Sequence, residues 1–155
     1  MITIQTEDFD VGGEYQLLKE AAGDAGAIIT FTGLVREIYH TKESGSEKIE
    51  SLYLEHYPGM TEKSLQAIEE DANAKWHLLA TRIIHRVGEL KPQDQIVFVG
   101  AASAHRQAAF DAAQYMMDYL KSNAPFWKKQ SSESGSQWVE SRQSDSEALK
   151  RWQDS

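Results

Sequence analysis

The chain has 155 residues, 41% hydrophobic and 26% charged, enough for one domain with a real core. Its formal net charge of −8 argues against a nucleic-acid binder, whose footprint would be a basic face, and no apolar run approaches the length of a membrane span. It contains no cysteine, which excludes a disulfide framework, a thiolate nucleophile, an iron–sulfur cluster and a Cys-type zinc site.

In chain order, Met1 to Gln5 alternates weakly and reads as a short strand. Glu14 to Ala22 reads as a short helix ended by Gly23. Ala27 to Val35 is rich in β-branched and aromatic residues and reads as a central strand, with Arg36 at its end. The polar, aperiodic stretch Glu37 to Lys48 is expected to be a mobile loop, of a length often tied to function. Ile49 to Tyr57 is the next strand and Pro58-Gly59 a turn. Thr61 is the expected cap of a helix with an apolar stripe at Leu65, Ile68, Ala72 and Trp76. Leu79 to Val87 reads as a strand that forms a hairpin with Gln95 to Gly100 through Gly88 and the Lys91–Asp94 cluster. A helix from Ser103 to Lys121 follows, then a Pro break and an extended piece carrying Lys128 and Lys129. A Ser-rich segment leads to a short strand around Trp138-Val139 and a helix from Ser144 to Trp152. The order predicts an α+β fold, a mainly antiparallel sheet with packed helices, in a single domain over 1–155.

Chemistry concentrates between Phe98 and Gln130. Four Lys/Arg stand against two Asp there, inside an acidic chain. Ser103 is a good N-cap, which would place His105 and Arg106 in the first helical turn, on the face of Ala109, Ala113, Met116, Met117 and Leu120. Two cations at the positive end of a helix make sense where an anion fills the space. Other uses of the same residues stand beside that one. A His–Arg pair also caps carboxylates or carbonyls, Lys121 suits the helix dipole, and Lys128 and Lys129 suit an edge strand. The five histidines (His40, His56, His77, His85 and His105) form no metal-type spacing, and Gly-rich phosphate loops are absent. The N-terminal residues lack the basic and apolar regions of a signal peptide, and a cytoplasmic location is expected.

Six stretches match one family in order: TFTGLVR (30–36), LEHYPGMTEKSL (54–65), IHRVGEL (84–90), IVFVGAASAHR (96–106), MDYLKSNAPFWKK (117–129) and WVESR (138–142). Over nearly its full length the chain resembles the large, catalytic subunits of molybdopterin synthase. The resemblance implies a sulfurtransferase that converts cyclic pyranopterin monophosphate into molybdopterin by installing two dithiolene sulfurs. The sulfur would come as a C-terminal Gly-Gly thiocarboxylate on a small ubiquitin-like partner, with two large subunits at the centre of a heterotetramer and no cofactor. It further implies Lys121 and Lys128 as catalytic lysines, and substrate contacts from Leu34, Val35, Arg36, His105, Arg106, Lys129, Gln130 and Arg142, the last reaching across the dimer. Gln130 stands where the family is expected to carry Glu. A lysine crowded by cations has a lowered pKa and can serve as base or nucleophile. The rival expectation is a non-catalytic carrier of a phosphorylated pterin or a ubiquitin-like tail.

Overall fold

The computed structural model describes residues 1–41, 45–132, 135–139 and 143–153. The chain runs β1 (Ile2–Gln5), α1 (Val11–Ala22), β2 (Ala27–Leu34), β3 (Ile38–Thr41), β4 (Gly45–His56), α2 (Met60–Lys75), β5 (Leu78–Arg86), β6 (Gly88–Leu90), β7 (Gln95–Ser103), α3 (Arg106–Asn123), β8 (Phe126–Ser132), β9 (Gly135–Val139) and α4 (Gln143–Gln153). Among the described residues, no helix is long and apolar enough to cross a membrane.

The α+β class holds, but the strands divide into two sheets. The first has the order β1-β5-β7-β2, and the second β3-β4-β8-β9 with β6 also paired to β4. All pairings are antiparallel except β1 with β5. The hairpin expected between Leu79 and Gly100 is present as β5 and β7, in register from Ala80↔Ala102 to His85↔Val97.

Strand β7 is apolar almost throughout because both of its faces are covered. Val97, Val99 and Ala101, with Ile83 of β5, join Leu65, Ile68 and Ala72 of α2 and Ala113, Met116 and Leu120 of α3. The alternate residues Phe98 and Ile84 meet Leu18 of α1 and Phe9. The first cluster continues into the second sheet through Leu52, Leu54 and Leu90. Its far end is closed by Trp76, Tyr115 and Trp152, whose rings meet edge to face, and the Trp152 indole donates to Asp118 Oδ2 at 2.8 Å.

Several local expectations are corrected. The stretch Glu37–Lys48 is not a loop: β3 pairs with the start of β4 from Ile38↔Lys48 to Thr41↔Gly45, residues 42–44 lying outside the described set. Backbone pairing needs no apolar alternation, so hydropathy gave no sign of it. Ser103 does not cap α3. It stays in β7, where its hydroxyl donates to the carbonyl of His77 at 2.9 Å, and His105 takes the N-cap position. Nor does Thr61 cap α2. The N-cap is Gly59, while the buried Thr61 hydroxyl accepts from Tyr57 N and donates to the carbonyl of Pro125. Thr61 thus ties the start of α2 to the segment entering β8. Gly88 begins a short strand, not a turn.

Candidate active site

Sheet register decides which way the β8 side chains face. Cross-strand partners share a face, and Lys128 lies opposite Leu54 and Gln130 opposite Leu52. Both leucines belong to the core. Lys128 and Gln130 therefore project toward the interior, with Phe126 two residues earlier on the same face. Lys129 lies opposite Tyr53 on the outer face, and all of Lys129, Tyr53 and Trp127 are exposed. Of the adjacent lysines, only Lys128 is turned inward.

The inner face receives side chains from three other elements. His56, opposite Phe126 in β4, places Nε2 3.1 Å from Glu62 Oε1 of α2. His85 of β5 stacks on Phe126, with ring centroids 3.9 Å apart and planes inclined by 19°. Its Nδ1 sits 2.8 Å from the carbonyl oxygen of Arg86. Lys121, half-buried in the last turn of α3, is near enough for its charge to act on His85.

His85 is only 3% exposed. Burial is the main reason its pKa falls from 6.5 to about 3; the Arg86 carbonyl opposes the fall, while the charges of Lys121, Lys128 and His56 deepen it. The imidazole is therefore neutral near pH 7 and sits within the electrostatic reach of both lysines. Gln130 is 2% exposed, and its Nε2 is a buried donor without an acceptor among the described residues. An amide so placed is suited to a ligand oxygen. Lys128 and Gln130 on the inner face of β8, and the neutral imidazole of His85 on which the charges of Lys121 and Lys128 act, put cationic and polar groups beside the core residues Leu52 and Leu54. Among the described residues no group of three His, Asp or Glu is placed to hold a metal ion.

The other expected residues are distributed differently. His105 and Arg106 are exposed, not buried with the inward face as expected: His105 precedes the helix as its N-cap and Arg106 is its first residue. Helix α3 runs back along β7, so Arg106 and Lys121 lie about 22 Å apart along its axis at 1.5 Å per residue. Leu34 pairs with Gln95, and Val35 is bonded to Asp94 and Gln93 through its backbone. This puts residues 34–36 at the end of the first sheet where His85 pairs with Val97, away from His105. Leu34 and Arg36 are exposed and Val35 is buried. Arg142 lies outside the described residues. His56, His85 and Phe126 were not singled out from the sequence. The available signal was a histidine two residues from Ile83 on a strand, at the period that faces the core.

Known proteins resemble this chain in sequence and in fold. The family model described as MoaE protein matches residues 4–123. The molybdopterin synthase catalytic subunit of Escherichia coli is 50% identical over 151 residues, covering 97% of each chain. That of Yersinia pestis is 51% identical over 151 residues, covering 97% of this chain and 96% of its own. Among solved structures, the molybdopterin biosynthesis MoaE protein from Burkholderia ambifaria superposes with a TM-score of 0.83 at 42% identity, over 99% of this chain and 97% of that one. Molybdopterin synthase from Staphylococcus aureus gives 0.77 at 33% identity, over 88% and 95%. With matches of this length and identity, the chain belongs to the MoaE protein family, the catalytic subunits of molybdopterin synthase.

Proposed function

We propose that this subunit is the sulfurtransferase that converts cyclic pyranopterin monophosphate into molybdopterin, taking each dithiolene sulfur from the C-terminal thiocarboxylate of a small ubiquitin-like subunit in the cytoplasm. The thiocarboxylate sulfur bonds to a side-chain carbon of the pterin, the carbon–oxygen bond at that carbon breaks with the oxygen leaving in protonated form, and the partner stays attached as a thioester. Water then cleaves the acyl–sulfur bond, releases the partner's carboxylate and leaves the sulfur on the pterin. A second partner repeats the cycle. The observation that supports this reading is that Lys128 turns inward on β8 and that its charge and that of Lys121, from the last turn of α3, both act on the buried imidazole of His85.

In this reading the lysines act on the transferring group. As compact cations they suit a thiocarboxylate, and a deprotonated one suits proton transfer or attack. Arg36, His105 and Arg106 hold substrate, the two arginines suiting its phosphate. Leu34, Val35, Lys129, Gln130 and Arg142 complete the contacts. The length of α3 separates His105 and Arg106 from Lys121 within one chain, which favours a pocket shared between two copies at the centre of a heterotetramer.

Single-turnover dithiolene formation, with thiocarboxylated partner and precursor at saturation, tests it. Lys121→Ala and Lys128→Ala are each expected to slow product formation at least about tenfold, or about 1.4 kcal/mol in barrier. Lys→Arg is not expected to restore full activity, because Arg stays protonated. Full activity in both alanine variants would leave a carrier, not an enzyme.

A further inference from the structure

Hydrolysis of the partner thioester calls for a base that water can reach, and strand β4 supplies one. Leu52, Leu54 and His56 alternate onto the inner face of the second sheet, and the two leucines belong to the core. His56 takes the place of a third apolar residue. Its Nε2 lies 3.1 Å from Glu62 Oε1, and the two side chains are 23% and 33% exposed, so solvent reaches both. An ionised carboxylate oxygen can only accept, so in the singly protonated ring the proton sits on Nε2 and the lone pair on Nδ1. A histidine oriented by a carboxylate in this way is equipped as a general base.

The pair is held in place by the elements around it. The other oxygen of Glu62, Oε2, accepts from Gly59 N at the N-cap of α2. That backbone contact alone serves the helix start; the histidine is no part of it. Thr61, fully buried, accepts from Tyr57 N at 2.9 Å and donates to the Pro125 carbonyl at 3.0 Å. Its hydroxyl thus joins the β4–α2 turn to the start of β8, where His56 pairs with Phe126 and Leu54 with Lys128. His56 and Lys128 are therefore diagonal neighbours on one face, about 7–8 Å apart, a separation that long side chains span. His85, buried against the same Phe126, has no such access to water.

We propose that His56 is the general base of thioester hydrolysis, oriented by Glu62: its Nδ1 takes a proton from the water that attacks the acyl carbon. As the water oxygen bonds to that carbon, the carbon–sulfur bond breaks and its electron pair stays on the pterin sulfur. The imidazolium returns its proton to that sulfur, and the second proton of the water goes to solvent as the partner's carboxylate is freed. This role rests on the sulfur-transfer function above.

The two halves of the cycle are separated by trapping the adduct. His56→Gln carries an amide to the Nε2 position, keeps a donor for Glu62 and has nothing at Nδ1. In quenched single-turnover reactions with saturating precursor and thiocarboxylated partner, mass spectrometry is expected to show the partner–pterin thioester accumulating in this variant. Free product is expected to form at least about tenfold more slowly than in the wild type. Added imidazole is expected to restore hydrolysis in His56→Ala, where the place of the ring is open. A double variant, His56→Gln with Glu62→Gln, is expected to be no slower than His56→Gln alone, because the carboxylate acts through the ring. Wild-type product formation in His56→Gln, slow product without accumulated thioester, no response of folded His56→Ala to imidazole, or an additive loss in the double variant would each overturn the proposal while leaving sulfur transfer intact. Should His56→Ala fail to fold, the thioester measurement in His56→Gln decides the matter. Absence of product from the wild-type protein would remove the sulfur-transfer function and this role together.

Discussion

At the scale of single residues, the charge states of His85 and Arg106 give measurable consequences. The folded pKa of His85, about 3, lies below its ordinary 6.5. The unfolded chain therefore takes up a proton near pH 6.5 that the folded chain refuses until near pH 3. Stability from this residue is complete above pH 6.5 and is lost as the pH falls between those values. One proton corresponds to a slope of about 1.4 kcal/mol per pH unit. Urea unfolding of wild type and His85→Phe at a series of pH values is expected to show that slope in the wild type minus variant difference. Parallel curves would mean that the imidazole is charged within the fold. Arg106, exposed at the start of α3, is expected to act through binding. Arg106→Ala should weaken precursor affinity by roughly 1.5–3 kcal/mol, the scale of a charged hydrogen bond, and titration calorimetry reads it directly. Unchanged affinity would remove the phosphate from that helix end.

Among the described glycines, Gly26, just before β2, has the least room for a side chain. A Cβ on Gly26 would lie 2.0 Å from the carbonyl oxygen of Ala104, and Gly26 N already donates to the carbonyl of Ser103 at 3.0 Å. Gly26→Ala is expected to push the β7–α3 connection aside and cost about 1–3 kcal/mol or more, seen as an earlier urea midpoint with unchanged slope. A midpoint equal to wild type would show that the connection yields freely. Elements whose apolar period faces a core were legible in the sequence: β7 with its unbroken buried run, β5 with Ile83 and Ile84, and α2 with its stripe at Leu65, Ile68 and Ala72. The β3–β4 pairing was not, because its polar residues are joined through backbone groups that every residue carries. Helix starts were misplaced for a related reason. Ser103 and Thr61 both have capping chemistry, but each hydroxyl is engaged by a distant carbonyl that local spacing cannot foresee. For the site, family likeness brought out Lys121 and Lys128, whereas His85 became visible only once β5 and β8 were brought face to face.

For the whole molecule, exposed aromatic surface and assembly go together. Trp127 is 48% exposed beside Tyr57, ring centroids 5.8 Å apart, on the same outer side as Tyr53 and Lys129. Aromatic surface of this kind is enriched at interfaces. Light scattering is expected to give the mass of a homodimer for the chain alone and of a heterotetramer with the small subunit; a monomer that binds no partner would count against the assembly. The path of the chain between its two sheets has a mechanical consequence. Arg86 ends β5 in the first sheet and Gly88, at φ +91°, opens β6 in the second, so a single residue, Val87, links them. There is no slack at that corner to absorb sliding of one sheet over the other. His85 stands immediately before it, with its ring against β8. Displacing the second sheet would therefore pull on the imidazole and the end of β5 at once, and an early, independent opening of either layer is suppressed. Amide exchange should report this as a shared protection, with β5, β6 and the inner half of β4 released in one cooperative event.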